Sequence, residues 1–95
     1  MDQPERSDLS EPQPAYSSPQ EMEEERRKLR RLQIMMSMVM SVISQDADLS
    51  VEEASEMAAN AKRAALAMFP DKEFAYDILY KPRLQRLMAE RFNLQ

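Results

Sequence analysis

The side chains that could do chemistry in this chain are carboxylates and arginines, because the sequence contains no cysteine and no histidine. That removes the commonest nucleophile–base pairs and the usual structural zinc ligands. Glutamates cluster twice, as Glu21/Glu23/Glu24/Glu25 and as Glu52/Glu53/Glu56. Paired carboxylates can serve general acid–base catalysis or hold a metal. Both clusters, however, fall where helices should begin, and the positive end of a helix dipole attracts acids without any chemistry being involved. A dicarboxylate metal centre needs glutamates on a buried helix face, and the apolar part of the first helix has none. Glycine is also absent, which argues against a phosphate-cradling loop. The expectation is a protein that is not an enzyme and has no metal and no cofactor.

The basic side chains raise a second possibility. Five of the six residues 26–31 are Arg or Lys, and Lys81, Arg83, Arg86 and Arg91 form another set near the C-terminus. Arg30 and Arg31, joined by Arg83 and Arg86, could contact phosphates as a small nucleic-acid-associated regulator. The glutamates one turn before residues 26–31 largely neutralise that run, with Glu23 facing Arg27 and Glu24 facing Lys28 four residues on. The net charge of −4 runs against the basic excess usual in such proteins. Nucleic acid is therefore the less favoured alternative.

These residues must be positioned by helices. Residues 1–18 hold Pro4, Pro12, Pro14 and four serines but only one aromatic, Tyr16. Such a composition cannot offset the entropy of ordering, so a disordered tail is expected over 1–18. The Pro12-Gln13-Pro14-Ala15-Tyr16 stretch is a weak polyproline-groove signal. Ser18-Pro19-Gln20-Glu21 reads as a capping box with proline at the first helical position. The first helix is expected over 19–44. Nine of the twelve residues 32–43 are apolar, and Gln33, Ser37 and Ser41 form one narrow polar stripe. A helix apolar nearly all round must be buried nearly all round. Met22, Leu29, Leu32, Met36, Val39 and Ile43 also follow a seven-residue pattern broken at Glu25, which suggests coiled-coil-like packing.

Gln45-Asp46-Ala47-Asp48 makes a polar connector. Ser50-Val51-Glu52-Glu53 is a second capping box, with Leu49 and Ala54 placed to staple it. Helix two is expected over 51–69 with Ala54, Met57/Ala58, Ala61, Ala65 and Met68 along one stripe, where alanine lets another backbone come close. Pro70 stops it. Short helices should follow over 72–80, with Phe74 and Ile78 stacked, and over 82–92, with Leu84, Leu87, Met88 and Phe92 inward. The last two could equally be one helix kinked at Pro82. The fold class is all-α, a small bundle of three to four helices over 19–95 behind the tail.

A domain of this size without disulfide or metal usually gains stability from a partner. The expected function is a non-enzymatic protein–protein interaction module, homo-oligomeric or an accessory subunit of a larger complex. Its shared surface would be the methionine-rich first helix through Leu32, Met35, Met36, Val39, Val42 and Ile43. Tyr76, Tyr80 and Arg83 would join them, being residue types favoured in interface hot spots. The acidic start lacks a signal-peptide pattern and no apolar run reaches membrane-spanning length. A cytoplasmic setting with no membrane span is expected.

Overall fold

The computed structural model describes residues 18–93. The expected tail therefore lies, except for Ser18, outside the described residues. Four helices follow one another: α1 (Pro19–Gln45), α2 (Val51–Met68), α3 (Glu73–Leu79) and α4 (Lys81–Phe92). No strand occurs among the described residues. The described residues divide into two units, one up to Arg30 and one from Arg31 onward.

In the first unit, α1 begins on the cap anticipated from its sequence. The Glu21 amide donates to Ser18 Oγ at 3.1 Å, and the Met22 amide donates to the Ser18 carbonyl at 3.0 Å. Ser18 thus satisfies amides that a helix start would otherwise leave unpaired.

The second unit is a small all-α bundle. Its core consists of Leu32, Met36 and Ile43 from α1, Ala54, Ala61 and Ala65 from α2, Tyr76 from α3 and Leu84 from α4. Met36 and Ile43 are the most enclosed large side chains, at 1% and 0% exposure. Burying a side chain of that size contributes roughly 1.5–3 kcal/mol. The α2 residues sit three, four and seven apart as Ala54, Ala58, Ala61 and Ala65, so they share one stripe. The backbones of α2, α3 and α4 approach one another within 8 Å. Alanine permits that approach. α1 does not come so close at the backbone and reaches the core through its long methionine, leucine and isoleucine side chains.

The connectors turn without glycine. Asp46 folds into an Asx turn, its Oδ1 accepting from the Asp48 amide at 3.0 Å, and its carbonyl accepts from Leu49 at 3.2 Å. The same carbonyl takes the Arg91 guanidinium at 2.7 Å, which ties the end of α4 to the α1–α2 connector. α2 starts on a complete capping box: the Glu53 amide donates to Ser50 Oγ at 3.1 Å and the Ser50 amide to Glu53 Oε1 at 2.9 Å. It stops at Phe69, whose amide still reaches the Ala65 carbonyl, and Pro70 follows. α3 and α4 are separate helices, but only Tyr80 lies between them, with φ −111° and ψ −35°. Lys81 is the first residue of α4, and Pro82, which has no amide proton to leave unpaired, is the second. Asn93 ends α4 at φ 55° and ψ 42°, a left-handed conformation that asparagine tolerates better than most residues.

The alanine stripe makes a direct prediction. Ala61→Leu should destabilise the full chain by ~1–3 kcal/mol through overpacking. Ala59→Leu, on the exposed side of the same helix, should stay within ~0.5 kcal/mol of the parent. Urea unfolding followed by far-UV circular dichroism measures both, and equal effects would show that the stripe is not what α3 and α4 pack on.

Candidate interaction surface

Charge and burial single out two features of the second unit. The first joins α2 to α3. Glu73 and Asp77 sit one turn apart on α3, and this like-charged pair would repel on its own. Lys62 of α2 answers both, its Nζ lying 3.1 Å from Glu73 Oε2 and 3.1 Å from Asp77 Oδ1. The two carboxylates raise the Lys62 pKa above the ordinary lysine value, Glu73 contributing most and Asp77 next. Lys62 was not singled out by the sequence pattern. The available signal was the acid pair on α3, which asks for a cation from the facing helix.

Between these charged residues stands Tyr76. Its ring packs 5.6 Å from that of Tyr80, and its hydroxyl is enclosed with no hydrogen-bond partner. Burial pushes the Tyr76 phenol up from its ordinary value, because the phenolate would lose its hydration. An open groove of about 470 Å³ runs alongside, lined mainly by Ala58, Ala59, Lys62, Tyr76, Leu84 and Met88. Its apolar walls offer little with which to orient a polar substrate, and Lys62 is already held by two carboxylates. Among the described residues, no group of three or more carboxylates converges as a metal site. The cluster's evident work is to fix α3 on α2.

The second feature is apolar surface. Fixing α3 by Tyr76 and Asp77 turns its opposite side outward. Phe74 is 79% exposed, and Ile78 and Leu79 are also largely uncovered. Phe74 and Ile78 lie one turn apart, so they stand side by side. On α1, Ile34 and Met38 repeat that spacing and are exposed as well. No described helix is long and apolar enough to cross a membrane.

The residues expected to form a shared surface fall in several places. Leu32, Met36, Ile43 and Tyr76 are buried within the single chain. Met35, Val39, Val42 and Tyr80 are half-buried, and Met35 and Val39 line a shallow groove against Met57 and Ala61 of α2. Arg83 is exposed; with Arg86 it edges a groove between α1 and α4 that also contains Glu90. Sequence periodicity therefore located the apolar helix, while the side of it left uncovered is marked by Ile34 and Met38. No protein-family model, curated protein or solved structure matches the chain.

The charged cluster has a measurable pH signature. Lys62 has a raised folded pKa, so its contribution is complete below the ordinary lysine value and fades as pH climbs through the raised one. Tyr76 stays protonated in the folded chain after the unfolded chain has begun to ionise, so it too costs stability as pH rises. Stability should hold level up to about pH 9 and fall above about pH 10. Absorbance titration near 295 nm should show a phase later than the ordinary tyrosine value, and Tyr76→Phe should abolish it. A titration curve with no late phase, or one that Tyr76→Phe leaves in place, would contradict the enclosed phenol.

Proposed function

We propose that the chain is a non-enzymatic protein–protein interaction module, acting as a homo-oligomer or as an accessory subunit of a larger complex. The observation that carries this reading is the uncovered apolar side of α3, where Phe74, Ile78 and Leu79 are exposed on a single seven-residue helix. An apolar cluster of that kind gains free energy when another surface removes it from water. Ile34 and Met38 offer a second apolar ladder on the methionine-rich α1. Support also comes from the chemistry of the rest. The chain has neither cysteine nor histidine. Among the described residues, the carboxylates beside the buried Tyr76 phenol are held in ion pairs by Lys62.

The reading favours a rigid anchoring site. α3 is held by the Lys62 ion pairs and the Tyr76 ring, so its outward residues lose little freedom on docking. Phe74 is the residue expected to enter a partner's pocket, since aromatic anchors dominate interface energetics.

The test is a comparison of Phe74→Ser/Ile78→Ser with the parent chain. Replacing exposed side chains should change unfolding stability by less than ~0.5 kcal/mol. Tagged parent and variant, expressed in the source cell, should differ in what they retain under quantitative mass spectrometry. A partner held at least ~10-fold less by the variant, a loss of about 1.4 kcal/mol, supports the reading. Identical partner sets would refute α3 as the docking surface.

A further inference from the structure

The first unit carries a pattern that the α3 surface does not use. Residues 21–30 read Glu-Met-Glu-Glu-Glu-Arg-Arg-Lys-Leu-Arg. About a centre between Glu25 and Arg26, every acid is mirrored by a base: Glu21 by Arg30, Glu23 by Lys28, Glu24 by Arg27 and Glu25 by Arg26. The one remaining pair is apolar, Met22 mirrored by Leu29. Both of these are large hydrophobic side chains left about half exposed, at 48% and 46%. With 100° per residue, Met22 and Leu29 fall within about 20° of each other on the helix, two turns apart.

We propose that this segment is a self-pairing face, and that its occupant is the same segment of a second copy of the chain, running antiparallel about a two-fold axis between Glu25 and Arg26. Charge complementarity selects this occupant. A two-fold axis normal to the pair sets each flank of the helix beside the same flank of its copy. One flank carries Glu21 and Lys28, the other Glu23 and Arg30. Antiparallel pairing therefore sets Glu21 against the copy's Lys28 and Glu23 against the copy's Arg30, while Met22 packs on the copy's Leu29. At the axis the same rule sets Glu25 beside the copy's Glu25 and Arg26 beside the copy's Arg26, two like pairs outnumbered by the four opposite pairs on the flanks. A parallel pair would instead set opposite flanks together, Glu21 beside the copy's Glu23 and Lys28 beside the copy's Arg30, which repels. The exposed Arg26–Glu23 contact at 3.4 Å within the single helix is no obstacle, because exposed pairs exchange partners at little cost. Three helical turns bury less surface than a permanent dimer needs, so the association is weak, concentration-dependent and sensitive to salt.

This pairing specifies one partner for the interaction reading but rests on different residues, so the two can fail separately. The full chain is examined by sedimentation equilibrium up to ~1 mM at low ionic strength, a range that resolves affinities as weak as about −4 kcal/mol. The parent should dimerise, and the dimer should dissociate as salt rises. The Glu21→Lys/Glu23→Lys variant sets like charges on both flanks and should be monomeric, as should Lys28→Glu/Arg30→Glu. Mixed one to one, the two variants restore all four flanking pairs and should recover the dimer, which also shows that neither has merely unfolded. Orientation is read from cysteines introduced into a chain that has none. Oxidised Met22→Cys should cross-link to Leu29→Cys and not to itself, since two copies of either position lie about 10 Å apart along the antiparallel pair, beyond disulfide reach. A parent that stays monomeric, a dimer indifferent to the charge reversals, or self-cross-linking of Met22→Cys would each overturn the proposal. A dimer lost instead in Phe74→Ser/Ile78→Ser would assign self-association to α3 and likewise overturn it.

Discussion

The second unit depends on one complementarity of size: bulky α1 side chains packed over a stripe of alanines. Met36 and Ile43 are enclosed almost completely, and Ala54, Ala61 and Ala65 beneath them are enclosed too. Neither half would suffice alone. Alanines contribute little apolar area of their own, and the α1 residues need a surface smooth enough to lie on. The alanines also admit α3 and α4 to within 8 Å of the α2 backbone. With no disulfide available, this packing and the caps that fix the helix ends supply the stability of a small core. Methionine suits that task because its unbranched side chain adapts to an irregular surface.

Polar contacts then set the geometry that packing leaves loose. Lys62 holds Glu73 and Asp77, and Arg91 holds the Asp46 carbonyl. The first fixes the rotation of the shortest helix and the second closes the end of α4 on a connector. Both are partly exposed and contribute little as isolated pairs. Their effect is directional: Tyr76 is turned inward and Phe74 outward on the same two turns of α3. The outward apolar surface is thus a consequence of how α3 is pinned.

Much of this was legible in the sequence because helix signals are local. Ser18 and Ser50 mark two starts through capping chemistry, and Pro70 marks a stop. The four- and seven-residue spacing of Leu32, Met36 and Ile43, and of Ala54, Ala61 and Ala65, names the inward faces. What periodicity could not decide was which part of an all-round apolar helix stays uncovered, because residues 32–43 present hydrophobic side chains in nearly every direction. Only the positions of α2 and α4 distinguish Met36 from Ile34 and Met38. Phe74 escaped for a similar reason. A phenylalanine and an isoleucine one turn apart on a short helix read equally well as core or as surface, and the deciding partner, Lys62, lies eleven residues before Glu73.

Charge placement in α1 follows a logic separate from packing. The helix dipole accounts for glutamates in the first turns, and it would favour cations in the last turn. The last turn of α1 has none. The basic residues stand instead at 26–31, in the middle of the helix, where the ends' partial charges scarcely act. Intrahelical pairing explains Arg27 and Lys28 through Glu23 and Glu24 one turn earlier, and it would work equally well with acids and bases interleaved along the whole helix. It does not require all four acids on one side of a single point and their mirror images on the other. A block arrangement gives a helix two opposite ends within three turns, and the surface that best neutralises such a helix is its own copy reversed. The apolar pair obeys the same symmetry, with Met22 and Leu29 equidistant from that point. Dipole and intrahelical pairing leave that order to chance, whereas antiparallel self-association uses it, setting Met22 on the copy's Leu29, Glu21 against the copy's Lys28 and Glu23 against the copy's Arg30.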